Sequence, residues 1–225
     1  MATEPTAPAR NLKNRHVQLI AIGGTIGTGL FLGSGKSIQQ AGPSILLAYL
    51  GVGVACFLLM RALGELLLSN TNQRSFVDFV TEYLGERVGF VVGWTYWICW
   101  ITIAMAEITA IGIYFRFWFP AVPQWLPGLV VLAVLLCINL ITVGAFGEVE
   151  FWFALIKIVA ILGLIIVGIG MLFMRLKTPV GHASLQNLVA FGGFFPKGAS
   201  GFLLSLQMVV FSFIGIEMVG MTAAE

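Results

Sequence analysis

Apolar residues in this chain come in long runs rather than in alternation with polar ones. Six runs approach the roughly 20 residues that a helix needs to cross a bilayer: 17–32 with a tail to about 40, 45–68, 88–119, 126–143, 150–174, and one that starts near 198 and is still running at Glu225. The pattern divides the chain into a polar tail over 1–16, five spans over 17–174, a loop over 175–197 expected outside the cell, and a sixth span over 198–225. Between the second and third spans, Phe76, Phe79, Val80, Tyr83 and Leu84 recur at helical spacing with charges between them. That stretch predicts a short amphipathic helix at the membrane interface. The segment "FRFWFPAVPQWLPG" joins the third and fourth spans with three prolines and no long polar stretch, and reads as a tight turn at an aromatic belt.

Composition sharpens this picture. The chain of 225 residues is 59% hydrophobic and only 10% charged, against about 25% charged residues in an ordinary soluble domain. An all-α integral membrane protein follows, with the lipid bilayer as its solvent. The formal net charge of +2 carries no nucleic-acid signal. Cys56, Cys99 and Cys137 lie inside apolar runs and read as packing residues, not metal ligands or disulfides. His16 and His182 flank spans, and no carboxylate pair stands at hydrolase spacing, so neither an enzyme, a metal site nor a cofactor is expected. The polar tail lacks a signal-peptide pattern. Arg10, Lys13 and Arg15 before the first span place the N-terminus in the cytoplasm, with Arg74 and Arg87 on the same side; Lys36, Arg116, Arg175, Lys177 and Lys197 stand against them.

The stretch "GGTIGTGLFLGSGKS", Gly23 to Ser37, has three readings. A phosphate loop would need glycine at position 30, where Leu30 stands, and a preceding strand that is absent. Close helix packing fits better: Gly23 and Gly27 are four apart, as are Gly29 and Gly33. The third reading is a helix that breaks. Counted from His16, residues 24–29 lie about 12–20 Å along a helix, near the bilayer midplane. Three glycines and two threonines in six residues make a poor continuous helix. A break would offer free N–H groups to a carboxylate and free carbonyls to an ammonium, the two charges of an amino acid.

Ionisable residues within apolar runs are functional candidates by default. Lys157 lies nine residues after Glu148, about 13 Å into the fifth span. Desolvation there would allow proton exchange. Glu107 lies well inside the third span, expected either to pair with a cation from another helix or to sit near the outer water. Glu217 follows Gly215 in "FSFIGIEMVG". Arg61 and Glu65 read as a surface pair one helical turn apart.

"NRHVQLIAIGGTIGTGLFLGSGKSIQQAGPS", "GWTYW", "GEVEFWFALIKIVAI" and "FSFIGIEMVGMTAAE" together resemble the bacterial amino acid permeases of the amino acid–polyamine–organocation superfamily, from about Asn11 to Glu225. "MRALGELLLSN", "GEVEFWFALIKIVAI" and "FPKGASGF" look closest to its D-alanine/D-serine/glycine branch. The resemblance implies a LeuT-type fold of two inverted five-helix repeats around broken first and sixth helices. It implies that Thr25 and Ile26 offer carbonyls to a substrate ammonium, with Gly27 in the break and Thr28 and Gly29 offering N–H groups to the carboxylate. It further implies Phe211 as an aromatic gate, Ile214 as another carbonyl, and Glu217 as the acidic residue after the second break. Lys157 matches a lysine that takes the place of a sodium ion and bonds carbonyls of the first helix, here around Gly23 or Gly24.

The expectation is therefore the N-terminal portion of a proton-coupled symporter of the cell membrane. It would import small neutral amino acids such as alanine, serine or glycine, D-forms included, with a C-terminal half expected beyond the sixth span. Two other readings stay open: an amino-acid-sensing membrane protein, and a six-span channel or accessory subunit without a transport cycle.

Overall fold

The computed structural model describes residues 23–70, 73, 75–140, 143–178 and 181–218, with backbone alone at 143–148 and 150. The polar tail, the start of the first span, the charges at Arg10, Lys13, Arg15 and Arg74, and the last residues of the sixth span lie outside the described residues.

The described part of α1 is residues 23–25. Then follow α2 (Thr28–Phe31), α3 (Gly33–Ala41), a 3-10 turn (Gly42–Ser44), α4 (Ile45–Ser69), α5 (Phe76–Leu84), α6 (Glu86–Trp118), α7 (Trp125–Asn139) and α8 (Val143–Phe173). A two-residue hairpin pairs β1 (Lys177–Thr178) antiparallel with β2 (Gly181–His182), and α9 (Asn187–Ala190) and α10 (Gly198–Phe211) complete the described chain.

Turn chemistry sets the boundaries. Gly42 adopts φ +61°, a left-handed conformation that glycine takes without strain, and Pro43 starts the 3-10 turn behind it. The amphipathic α5 begins with a reciprocal cap. Ser75 accepts the Val77 N–H at 3.2 Å, and Asp78 accepts the Ser75 N–H at 3.0 Å. Gly85, at φ +90°, ends α5 and opens α6. Pro120 and Pro123 fall in the turn between α6 and α7.

Three described stretches are long and apolar enough to cross a membrane: Gly33–Ser69, Glu86–Trp118 and Phe151–Phe173. The first is interrupted at Gly42, so α4, with 25 residues, is its spanning part. The fourth and sixth expected spans are shorter as helices, 15 residues in α7 and 14 in α10. Hydropathy continues past both ends, but the backbone does not: α10 stops at Ser212 because the chain unwinds there.

The small core lies where α3, α4 and α10 meet. Ala41, Ile45, Ala48 and Val209 are buried, flanked by Tyr49, Val52, Phe202, Leu206 and Phe213. Buried Ser37 and Ser44 return their hydroxyl protons to the carbonyls of Gly33 and Ala41, and Ser205 to that of Phe202, so none of these hydroxyls is left unsatisfied. Ser44 also donates its N–H to the Phe194 carbonyl at 3.0 Å, tying the loop before α10 to the α3–α4 turn. Elsewhere many large apolar side chains stay exposed, among them Ile156, Val159, Leu162 and Ile166 of α8, although Phe79 and Leu63 are buried. Apolar surface on this scale requires lipid or further protein against it.

Small residues let α10 approach. A Cβ on Gly33 would strike the Met208 side chain, and one on Gly201 would lie 2.7 Å from Lys197 Cβ while pressing on the Gln40 carbonyl. The carbonyl belongs to backbone and cannot swing aside. Gly201→Ala is therefore expected to lower stability by about 1–3 kcal/mol, the usual cost of overpacking. Gly51→Ala, with open space around it, is expected to leave stability unchanged or raise it by up to about 1 kcal/mol through helix propensity. Thermal unfolding of the purified protein in detergent measures both, and equal melting of the two variants would contradict this packing.

Candidate functional site

The first break is built from glycine. After residues 23–25 the helical run stops at Ile26, and Gly27 is extended, at φ −132° and ψ −160°. The chain re-enters helix at Thr28, where Leu30 and Phe31 both donate N–H to the Gly27 carbonyl at 3.2 Å. Leu32 keeps right-handed helical angles, so α2 runs on into α3. The break thus faces a helix N-terminus, whose first N–H groups have no helical acceptor and carry partial positive charge.

Glu107 of α6 meets that end. Thr28 donates its backbone N–H to Glu107 Oε1 at 3.1 Å and its hydroxyl to the same oxygen at 2.9 Å. This corrects the expectation that Glu107 pairs with a cation or sits in outer water: its acceptors' partners are the peptide and side chain of the break. A Cβ on Gly27 would come within 2.8 Å of the same oxygen, so glycine there keeps the approach open.

The other side of the break meets α8. Lys157 donates from Nζ to the Gly23 carbonyl at 3.0 Å, and the Ile26 N–H reaches that carbonyl at 3.2 Å. Ala154, one turn before Lys157, fills the place where a Cβ on Gly23 would stand. The missing side chain at Gly23 lets α8 come close enough for Lys157 to reach a carbonyl at the helix end.

A second interruption follows α10. Residues 212–217 form successive turns, with Phe213 bonded to the Val210 carbonyl, Ile214 to Phe211 and Ile216 to Phe213 at 3.0–3.4 Å. Gly215, at φ +97°, lies against the Gly24 carbonyl and the Trp100 ring, and its N–H is taken by Glu217 Oε2 at 3.1 Å. Glycine is needed here for both the backbone angle and the close approach.

Between the two interruptions lies a cavity of about 50 Å³. The first break contributes Gly24, Thr25, Gly27 and Gly29; α6 contributes Trp100, Ile103 and Glu107; α10 and the following turn contribute Phe211, Ser212 and Ile214. A wider groove of about 470 Å³ between α5 and α6, lined by Val77, Phe90, Trp94 and Trp97 among others, holds no ionisable group and lies away from this chemistry.

The predicted residues therefore divide. Thr25, Gly27, Gly29, Glu107, Phe211 and Ile214 line the cavity, and Thr28 reaches it through Glu107. Ile26, Lys157 and Glu217 are not in its wall; Lys157 holds the end of α1 and Glu217 holds Gly215. Sequence reasoning missed Trp100, Ile103 and Ser212. The first two stand seven and four residues before Glu107, on the same helix face, which the spacing already displayed. Ser212 is held by its bond to the Met208 carbonyl at 2.9 Å and by Tyr49 Oη at 3.4 Å. Gly29 also serves close packing: a Cβ there would meet the Phe211 ring and Ser212 Cα at 2.9 Å.

Residues 16–225 match the amino acid permease family. The chain is 64% identical to an uncharacterized transporter, YdgF, and also to the amino-acid permease AapA, both of Bacillus subtilis (strain 168), each match covering 96% of this chain and 47% of the relative. It is 56% identical to the D-serine/D-alanine/glycine transporter of Escherichia coli (strain K12), over 96% of this chain and 46% of that protein. The chain spans about half the length of the curated relatives it matches. These relatives are transporters, not enzymes. No solved structure matches the chain.

Removing the Glu107 carboxylate leaves two donors of Thr28 without their acceptor. Glu107→Leu is expected to destabilise the protein by up to about 1–3 kcal/mol, the penalty of unmet donors in a part-buried site. Glu107→Gln keeps an acceptor oxygen and is expected to recover most of that loss. Melting temperatures of the two purified variants give the comparison; a Leu variant as stable as the Gln variant would contradict the assignment.

Proposed function

The chain belongs to the amino acid permease family, and on that premise we propose that it supplies the substrate-holding breaks of a proton-coupled amino acid symporter. The proposed fold is the LeuT-type inverted repeat, set in the cell membrane with the N-terminus in the cytoplasm. The proposed partners are a small neutral amino acid, a proton, the lipid bilayer and a C-terminal half that closes the site.

One observation carries this reading: a carboxylate already occupies the start of α2, bonded by the Thr28 N–H and hydroxyl. The hydrogen bonds that these donors give to Glu107 they would give to the α-carboxylate of a substrate. The carbonyl of Thr25, before the break, with that of Ile214 across the cavity, suits the ammonium. Gly29 adds a second N–H, and Phe211 a wall beside the side chain. The cavity is small, about 50 Å³, which supports a small amino acid over a large one. The relative named as a D-serine/D-alanine/glycine transporter supports the same size class.

Two carboxylates near 4 Å apart repel by about 4 kcal/mol at an effective dielectric of 20. A substrate carboxylate arriving at Thr28 therefore favours withdrawal of Glu107. Lys157 is the proposed proton station: its ammonium donates to the Gly23 carbonyl, and loss of its proton to the cytoplasm would release the end of α1 and let the inner side open.

Uptake of radiolabelled glycine and of D- and L-alanine and serine by the full-length permease, with and without an inward proton gradient, tests the reading. Wild-type protein is expected to accumulate these substrates against their gradient. Lys157→Met, of similar length and without the proton, is expected to lose accumulation while still binding substrate. Normal concentrative uptake by this variant, with unchanged dependence on external pH, would remove Lys157 from the coupling.

A further inference from the structure

One face of α6 runs from the amphipathic α5 to the first break. It carries Gly89, Gly93, Tyr96, Trp100, Ile103 and Glu107, in alternating steps of four and three residues. That spacing keeps side chains on a single helical stripe. At its near end α5 lies directly on α6: a Cβ on Gly89 would strike Thr81, and one on Gly93 would lie 3.5 Å from Val77 Cγ1. At its far end Glu107 bonds Thr28.

Tyr96 is the junction. Phe76, the first residue of α5, stands edge-on to its ring, with centroids 4.9 Å apart and planes at 87°. Trp100 also meets it edge to face, at 6.0 Å and 84°. The Tyr96 hydroxyl donates to Met218 Sδ at 3.9 Å. Trp100 in turn lines the cavity and lies against Gly215. A chain of ring contacts therefore connects an interfacial helix to the turn that follows α10.

We propose that Phe76 is a positioning residue for transport, which through the Tyr96 ring holds Trp100 and the 215–218 turn against the cavity. This rests on the transporter reading above. The edge-to-face geometry matters, not only bulk, because aromatic pairs attract through the positive ring edge and negative ring face. The reciprocal cap of Ser75 and Asp78 fixes where α5 starts, and so where Phe76 stands. A movement of α5 at the membrane surface is thereby transmitted to the substrate site without any direct contact between them.

The test uses the full-length permease with its native cysteines replaced and Ile216→Cys as a reporter of the turn. Phe76→Leu keeps an apolar side chain but loses the ring; Phe76→Tyr keeps the ring. Phe76→Leu is expected to speed alkylation of the reporter by about 3–10-fold, the fold-change an edge-to-face contact is worth, and to raise KM by a similar factor with Vmax changed less. Phe76→Tyr is expected to leave both at the parent values. In a Tyr96→Leu background, where the ring that carries the link is gone, Phe76→Leu is expected to add nothing further. Parent-rate alkylation in Phe76→Leu, equal effects of Leu and Tyr, or additive effects with Tyr96→Leu would each overturn the proposal. Should Phe76→Leu fail to assemble, Phe76→Met, also without a ring, decides, faster alkylation supporting and an unchanged rate overturning. A wild-type protein that transports none of the amino acids would sink the transporter reading, and the alkylation rates of the reporter variants would still decide the role of Phe76.

Discussion

A broken helix leaves peptide groups without helical partners, and in apolar surroundings each must find another. This constraint organises the described chain. The N–H that opens α2 goes to Glu107 from α6, and the carbonyl of Gly23 goes to Lys157 from α8. Two helices far apart in sequence are thus pinned to the two sides of one interruption, an acid at its positive end and a base at its negative end. The polarity of the peptide group dictates which charge belongs where.

Glycine makes these approaches geometrically available. Gly23 admits Ala154 and so brings Lys157 within reach; Gly27 leaves space for the Glu107 oxygen; Gly29 and Gly33 admit Phe211, Ser212 and Met208 from the α10 side. The close-packing and helix-break readings of the same stretch are therefore not rivals. Four-residue spacing sets α3 against α10, and the extended Gly27 between them opens the backbone. Because α10 itself unwinds just where it meets Gly29, both interruptions come to face one cavity.

Much of this was legible in the chain. The excess of glycine and threonine over residues 24–29 located the break, and the isolation of Lys157 in an apolar run marked it as a residue with a partner elsewhere. The amphipathic α5 was legible from the spacing of Phe76, Phe79, Val80, Tyr83 and Leu84, although the Ser75–Asp78 cap went unread beside it. The partner of Glu107 was not legible: it lies 79 residues away, and only the packing of α6 against α2 brings it there. Nor were the ends of α7 and α10, because hydropathy reports the solvent around a segment and not the backbone conformation within it. The stripe from Gly89 to Glu107 was written in steps of four and three, yet its meaning depends on α5 and the 215–218 turn lying on the same side.

The account turns on Thr28 holding a carboxylate that the substrate can replace. A high-resolution structure of the full-length permease with D-alanine bound tests this most directly. The predicted result places the alanine carboxylate within hydrogen-bond distance of the Thr28 N–H, with Glu107 withdrawn from it. A bound alanine whose carboxylate lies elsewhere, with Glu107 still accepting both Thr28 donors, would contradict the account.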